Sequence, residues 1–202
     1  MVVRSHRTMN TSEHSDAQVL WKMFYARECF RQVRAAAQYL VDGKLERDHP
    51  LFHPLITATY VLYAKPFTRA DAVGKLGEEM IPADQLEPHR TILEHRHQVY
   101  AHRDGDGFAV ADYGAVSQVR ALRLPQTLQL FGTDFHARYP ALPPIISLCQ
   151  VLEQKTDYHV EKLWTKYAPA VPMRVGEFML NVADPSGDMW LPQKPLILKS
   201  ET

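Results

Sequence analysis

A long amphipathic stretch near the N-terminus constrains the fold more than any other feature of the chain. Between Ser15 and Gly43, apolar residues recur three or four positions apart, which is the spacing of one face of an α-helix. The apolar set comprises Val19, Leu20, Met23, Phe24, Phe30, Val33, Ala37, Leu40 and Val41. Ser15 or Asp16 can cap the start, and Gly43 supplies the end. The sequence therefore predicts one long helix, preceded by a loose tail over residues 1–14.

Four further segments have helical character. Residues 53–63 are apolar on most faces and predict a buried helix. This helix should end at Lys65-Pro66, because the residue before a proline disfavours helical geometry. The other three predicted helices span residues 69–76, 88–102 and 143–169, each with a proline, threonine or glycine at an end.

Two segments favour short strands instead. Residues 108–131 carry apolar residues around Pro125 without helical spacing, which indicates a strand-like insertion. Residues 171–202 contain two short apolar runs about a turn rich in Asp, Pro and Gly, which predicts a C-terminal β-hairpin extension. The expected fold class is therefore mainly α, a helical bundle over residues 15–170 with a small appended β-hairpin or short strands.

Charge and hydropathy exclude several classes of protein. Lys plus Arg and Asp plus Glu each number 23, so the formal net charge is zero, and nothing indicates a broad basic surface that tracks a long nucleic acid. The run near Leu55–Ala64 is too short to span a bilayer, and residues 1–7 lack the apolar core of a signal peptide. We therefore expect a cytoplasmic protein with no membrane partner.

The familiar catalytic motifs are missing from the sequence. Cys29 and Cys149 are the only cysteines, and their separation favours buried free thiols over a disulfide framework. The chain has no glycine-rich phosphate loop, nucleophile elbow or CxxC pair, so the common nucleotide hydrolases, serine hydrolases and thiol redox enzymes have no support.

The ten histidines raise the question of a metal site. His49 and His53 have the i, i+4 spacing that can chelate zinc on a helix. A third ligand would have to come from Asp48, His89 or His95. Because Pro50 and Pro54 disfavour a regular helix there, loop histidines are the simpler interpretation, and we expect neither a metal nor another cofactor.

Residues 94–104 (Glu-His-Arg-His-Gln-Val-Tyr-Ala-His-Arg-Asp) carry the clearest chemistry. Arg96 is followed six positions later by His102, near the expected end of the helix over residues 88–102. An arginine can hold phosphate charge and a histidine can move protons near neutral pH, so the two form a minimal set for cleaving RNA. The pair Arg47 and His53 has the same offset but is interrupted by proline, and Arg90 with His95 lacks the expected helix end.

The segment from Arg96 through His97 to His102 resembles the signature of the HEPN superfamily, in which an arginine, often followed by Asn, His or Asp, precedes a histidine by four to six intervening residues. Many of these small helical-bundle proteins are ribonucleases in toxin–antitoxin, abortive-infection and CRISPR-associated defence. The resemblance implies a metal-independent endoribonuclease with Arg96, His97 and His102 as catalytic residues and Arg103 holding the RNA backbone. It also implies a homodimer whose motif helices face one another, and an antitoxin protein as a further partner.

The resemblance assigns a role to each of these residues. His102 would be the general base on the RNA 2′-hydroxyl or the general acid on the leaving 5′-oxygen, and a second copy could supply the other role. Arg96 would stabilise charge on the phosphate, and His97 would orient it. On an ideal helix Arg96 and His102 lie roughly 120° apart, so the site needs a helix end or the dimer cleft to gather them.

Three other interpretations stay open at this point. The motif can be a solvated helix end with local ion pairs, the chain can be a HEPN-like binding or scaffold protein that cuts nothing, or a metal can support a helical-bundle hydrolase. The aromatic residues Trp21, Phe24, Tyr25 and Phe30 are expected to bury one face of the first helix, as core or dimer seam rather than as a cofactor site.

Overall fold

The computed structural model describes residues 9–46, 48–68, 74–97, 120–131, 141–173, 176–184 and 186–193. Its helices are α1 (Thr11–Asp42), α2 (Phe52–Ala64), α3 (Leu86–His95) and α4 (Leu142–Tyr167). Its strands are β1 (Arg120–Arg123), β2 (Leu128–Phe131), β3 (Phe178–Leu180) and β4 (Trp190–Pro192). The described part of the chain is thus mainly helical with two small antiparallel hairpins, which confirms the predicted fold class at this level.

Helix α1 begins earlier than predicted, at Thr11 rather than after Ser15 or Asp16. The backbone N–H of Glu13 donates to Asn10 Oδ1 at 2.9 Å, and Glu13 Oε2 accepts from the backbone N–H of Asn10 at 3.0 Å. This reciprocal capping box satisfies two of the backbone donors that a helix start leaves free. Residues 11–14 therefore belong to the helix and not to the predicted tail, while residues 1–8 lie outside the described residues.

The end of α1 falls where the sequence predicts it, but the conformation that ends it is carried by a different residue. Lys44, not Gly43, has the positive φ of the left-handed region, at 46°. The N–H of Leu45 donates to the carbonyl of Leu40, and the N–H of Lys44 to that of Val41, both at 3.2 Å. These two bonds form a Schellman motif with Lys44 in the position that glycine usually occupies.

Helix α2 confirms the predicted buried helix and is followed by a 3-10 turn at Lys65–Phe67. The short helix predicted over residues 69–76 is wrong for residues 74–76, which form neither helix nor strand, and residues 69–73 lie outside the described residues. Helix α3 follows a 3-10 turn at Ala83–Gln85 and packs against α2. Its predicted continuation to His102 lies outside the described residues beyond His97.

Helix α4 and the C-terminal hairpin agree with the sequence, and the predicted strand-like insertion contains a second hairpin. Strands β1 and β2 pair with Arg120 opposite Phe131, around a turn in which the Leu124 N–H donates to the Thr127 carbonyl at 2.8 Å. They fall within the predicted insertion, of which residues 108–119 lie outside the described residues. Strands β3 and β4 pair with Phe178 opposite Pro192, which confirms the predicted C-terminal hairpin.

Backbone contacts divide the chain into two compact units. The first contains the described parts of residues 1–31, 65–80 and 150–202. In it, Arg27 Nη1 pairs with Asp157 Oδ1 at 3.1 Å and Lys166 pairs with Asp16, so α1 and α4 are joined by two ion pairs. Its buried apolar side chains include Ala17, Leu20, Met23, Phe30, Phe67, Leu152 and Tyr167.

The second unit contains the described parts of residues 32–64 and 81–149. Its centre is the contact between α2 and α3. Its buried apolar side chains include Val33, Ala37, Leu40, Ile56, Tyr60, Tyr63, Ile92, Ile145 and Leu148. This unit carries the described part of the motif segment, so the functional site is built on it.

Three of the four aromatic residues expected to be buried along α1 are exposed. Phe30 is fully buried, but Trp21, Phe24 and Tyr25 are 42%, 48% and 38% exposed. At 100° per residue these three lie on the face of α1 opposite Phe30, where Trp21 stacks on Tyr25 with ring centroids 5.5 Å apart. Trp21, Phe24 and Tyr25 are therefore not core residues of the single chain, and their alternative place in a dimer seam stays a prediction. Val41, which is 38% exposed, is also outside the core.

Two smaller predictions can be compared directly. Cys29 and Cys149 are both free and buried, as the sequence predicts. No helix in the described ranges is long and apolar enough to cross a membrane.

Candidate functional site

The candidate site is the C-terminal end of α3, and two buried residues fix that helix in place. Pro88 lies in the first turn of α3, where its missing N–H costs nothing. One turn apart, His89 and Ile92 are 0% and 1% exposed, and His89 contacts Tyr63 of α2. Because these two side chains are buried, they fix the position of α3 and with it the position of its last turn.

A buried hydrogen bond ties α3 to α2. The Tyr63 hydroxyl lies 2.8 Å from His89 Nδ1, and both side chains are fully buried. Burial, with a smaller contribution from nearby Cys149, raises the pKa of the Tyr63 phenol well above its usual value, so the phenol stays neutral. This hydrogen bond between two buried side chains stabilises one arrangement of the two helices.

His95 is the last residue of α3, and its ring is held by a second tyrosine of α2. The imidazole stacks on Tyr60, with ring centroids 5.8 Å apart and planes 27° from parallel. Tyr60 itself is fully buried, whereas His95 is partly exposed. Partial burial lowers the pKa of His95, against a smaller opposing effect of Glu94, so the ring is neutral at pH 7.

Arg96 follows in helical conformation, with φ −58° and ψ −44°. Its backbone N–H donates to the carbonyls of Ile92 and Leu93, which anchors the residue to the last turn of α3. The side chain is partly exposed, and no hydrogen bond or ion pair joins its guanidinium to another residue of the described segments. The next residue, His97, is exposed. An arginine and a histidine thus follow each other in the chain at the helix end.

The other two predicted site residues, His102 and Arg103, lie outside the described residues. Of the predicted site residues, the structure therefore describes Arg96 and His97, which are neighbours in the chain and follow His95. The helix end expected near His102 also lies outside, and α3 as observed ends at His95. Arg96 and His97 continue the helix as a π turn, so the choice of Arg96 with His102 over the pair Arg90 and His95 stays a prediction.

The histidine pair considered as a zinc site is not on one helix. His49 precedes α2 and its Nδ1 accepts a hydrogen bond from the Leu51 backbone N–H at 3.2 Å, while His53 lies in the first turn of α2. This is the behaviour of a loop histidine, as the simpler interpretation predicts. Among the residues that the structure describes, no three His, Cys, Asp or Glu side chains gather to hold a metal ion.

Sequence reasoning did not find the tyrosines that support the site. Tyr60 and Tyr63 are one turn apart on α2 and meet His95 and His89, which are six residues apart on α3. The signal that could have found them is the presence of two tyrosines in an otherwise apolar helix. A buried tyrosine hydroxyl needs a hydrogen-bond partner, so these tyrosines indicate polar side chains on a neighbouring element.

Comparison with known proteins gives no relative for this chain. No protein-family model, no curated protein and no solved structure matches it.

Proposed function

We propose that this chain is a HEPN-like, metal-independent endoribonuclease that cleaves RNA by attack of the 2′-hydroxyl on the adjacent phosphate. The observation that carries the proposal is Arg96, whose backbone is anchored at the end of α3 and whose side chain is partly exposed and without an ion-pair partner in the described segments. Arginine offers a planar fork of donors that fits phosphate oxygens, and it keeps its charge at neutral pH. Its neighbours His95 and His97 add imidazoles to the same helix end.

Each residue of the motif has a role in the proposed reaction. Arg96 stabilises the charge that builds on the phosphate oxygens as the 2′-oxygen attacks. His102 transfers a proton at one of the two reacting oxygens, and a second copy of the chain supplies the other transfer. His97 orients the phosphate and Arg103 holds the RNA backbone. The products are a 2′,3′-cyclic phosphate and a 5′-hydroxyl.

The neutral charge of the chain fits an enzyme that contacts RNA locally. With 23 basic and 23 acidic residues, the protein has no general attraction for polyanions, so binding depends on the motif. We propose that in the cell the protein is a cytoplasmic homodimer that belongs to a toxin–antitoxin or phage-defence system. Its further partner in such a system would be an antitoxin protein.

The first test is cleavage of a mixed RNA pool by the purified full-length protein in EDTA. The matched variants are His102→Ala, which removes the proposed proton-transfer group, and His53→Ala, which removes an exposed histidine of α2. We expect the parent and His53→Ala to cleave and to leave 2′,3′-cyclic phosphates, and His102→Ala to lose at least roughly a hundredfold in rate.

Two outcomes contradict the proposal. Cleavage that stops in EDTA and depends on His53 indicates the metal-dependent hydrolase instead. No cleavage by any of the three folded proteins favours the binding or scaffold protein that does not cut RNA.

A further inference from the structure

We propose that the aromatic face of α1, formed by Trp21, Phe24 and Tyr25, is a self-association surface on which a second copy of this chain docks through the same face. The resemblance described above implies a dimer contact at the motif helices, whereas this surface belongs to α1. The inference therefore goes beyond the proposed function. It does not rest on ribonuclease activity, so the two can fail separately.

The size of the aromatic face is the first observation. Its three rings lie within five residues of one helix and are 42%, 48% and 38% exposed. Positions three and four apart are neighbours on a helix surface, so the rings form one patch. An aromatic side chain carries about 150–250 Å² of surface, so the three leave roughly 200–320 Å² in contact with water. A contiguous apolar patch of a few hundred Å² is often a site of interaction.

The rings are held in place without a partner. Trp21 stacks on Tyr25 with ring centroids 5.5 Å apart and planes 6° from parallel. Arg27 Cζ lies 4.2 Å from the centroid of the Phe24 ring, and the same guanidinium pairs with Asp157 of α4 at 3.1 Å. Because these side chains are already ordered, a partner that covers them pays little for their immobilisation.

The charges beside the rings favour a second copy as the partner. Arg27 is paired with Asp157, and Arg31 Nη1 is paired with Glu28 Oε1 at 3.2 Å. Both arginines are thus neutralised by acids of the same chain, which makes the face a poor site for the phosphates of a nucleic acid.

The same balance of charge makes the face compatible with itself. A two-fold contact brings identical surfaces together, so a face of one sign would repel its copy. Here the acid and the base of the pair Glu28 and Arg31 cancel, and the formal net charge of the whole chain is zero. Two copies can therefore approach without repulsion and cover the rings of one another.

The area of the face sets the strength of the dimer. A stable dimer covers about 800 Å² on each partner, and the three rings supply roughly a third of that area. The side chains of Glu28 and Arg31, which are 40% and 51% exposed, extend the surface at one end. We therefore expect a weak dimer with a dissociation constant in the micromolar range.

The test is sedimentation velocity of the full-length protein from about 1 μM to about 200 μM. The variant is Phe24→Glu, and the matched control is Leu51→Glu, because Phe24 and Leu51 are 48% and 47% exposed and Leu51 precedes α2. We expect the parent and the control to pass from monomer to dimer over this range. Phe24→Glu removes a ring and adds a negative charge to both copies, so it should raise the dissociation constant at least roughly tenfold. Trp21→Ala should act in the same direction.

Two further readouts identify the contact. The Trp21 indole loses water when the dimer forms, so tryptophan emission should shift to shorter wavelength as concentration rises. Trp21→Phe should lose this shift, which separates it from emission of Trp164 and Trp190. Because rings rather than charges hold the dimer, it should persist between about 0.05 M and about 0.5 M salt. Circular dichroism verifies that each variant is folded.

Three results overturn the inference. One is a parent that stays monomeric over the whole range. Another is a dimer that folded Phe24→Glu and Trp21→Ala leave unchanged, since the contact then lies elsewhere. The third is a monomeric parent whose Trp21 emission changes on addition of a single-stranded RNA oligonucleotide, which assigns the face to RNA. A dimer that behaves as expected but cleaves no RNA ends the proposed function and leaves this inference standing.

Discussion

Tyr167 shows how burial sets the properties of a single residue in this protein. It is 1% exposed at the end of α4, and its hydroxyl donates to the backbone carbonyl of Glu13 in α1. Burial, followed by the charges of Asp16 and Glu13, raises the pKa of Tyr167 to about 12. In the unfolded chain the same phenol titrates near 10.

Stability should therefore depend on Tyr167 between pH 10 and pH 12. Because the folded protein holds this proton more tightly, its contribution is complete below pH 10 and is lost as pH rises through the folded pKa. Against Tyr167→Phe, the parent should lose on the order of 2–3 kcal/mol more unfolding free energy across this window. Urea unfolding of both proteins at several pH values measures the difference, and parallel pH curves would contradict it.

The pairing of Tyr63 with His89 marks the limit of sequence reasoning at the residue scale. The sequence predicts that each of the two residues lies in a helix. Their contact, however, joins residues 26 positions apart and depends on how α2 and α3 pack. Helical periodicity gives the face of one helix and not its neighbour. For the same reason, the sequence does not predict the contact between Tyr60 and His95.

At the scale of elements, α1 shows which part of a helix a sequence predicts well. Its apolar period and its end near Gly43 are correct, because both are local properties. Its start is five or six residues too late in the prediction, since Ser15 and Asp16 are good caps on their own while Asn10 gains its advantage from Glu13 three residues later. The apolar pattern also put Phe24 in the core, although a helix has room for only one buried face.

The observed start of α1 can be checked with two substitutions. Asn10→Ala removes the side chain that caps the helix and should lower the unfolding free energy by about 1 kcal/mol. Ser15→Ala replaces an exposed residue inside the helix and should change it by less than about 0.5 kcal/mol. Urea denaturation distinguishes them, and the reverse ranking would mean that the helix starts after Ser15.

The end of α1 offers a stabilising substitution. Lys44 adopts a left-handed conformation that glycine tolerates without cost, so Lys44→Gly should raise the unfolding free energy by about 0.5–1 kcal/mol. Gly43→Ala is the control, because its Cβ would lie 2.9 Å from the Tyr39 carbonyl oxygen and should give no gain. A Lys44→Gly variant less stable than the parent in urea would contradict the Schellman geometry.

At the scale of the whole molecule, the sequence predicts the class of fold and not its organisation. The helices α1, α2, α3 and α4, the C-terminal hairpin and a strand-like segment before α4 were expected because each has local periodicity or turn residues. The division into two units was not, because each unit combines segments far apart in the chain. The candidate site divides in the same way: Arg96 and His97 came from a local motif, whereas the tyrosines of α2 that support this helix end became evident only in the structure.

The measurement that tests the central claim most directly is RNA cleavage by Arg96→Ala beside Arg90→Ala, both assayed in EDTA after folding is verified by circular dichroism. Arg90 is an exposed arginine on the same helix and belongs to the alternative pair with His95. We predict that Arg96→Ala loses on the order of 10²- to 10³-fold in kcat while Arg90→Ala retains the parent rate. An Arg96→Ala protein that cleaves as fast as the parent, or loss confined to Arg90→Ala, would contradict the account.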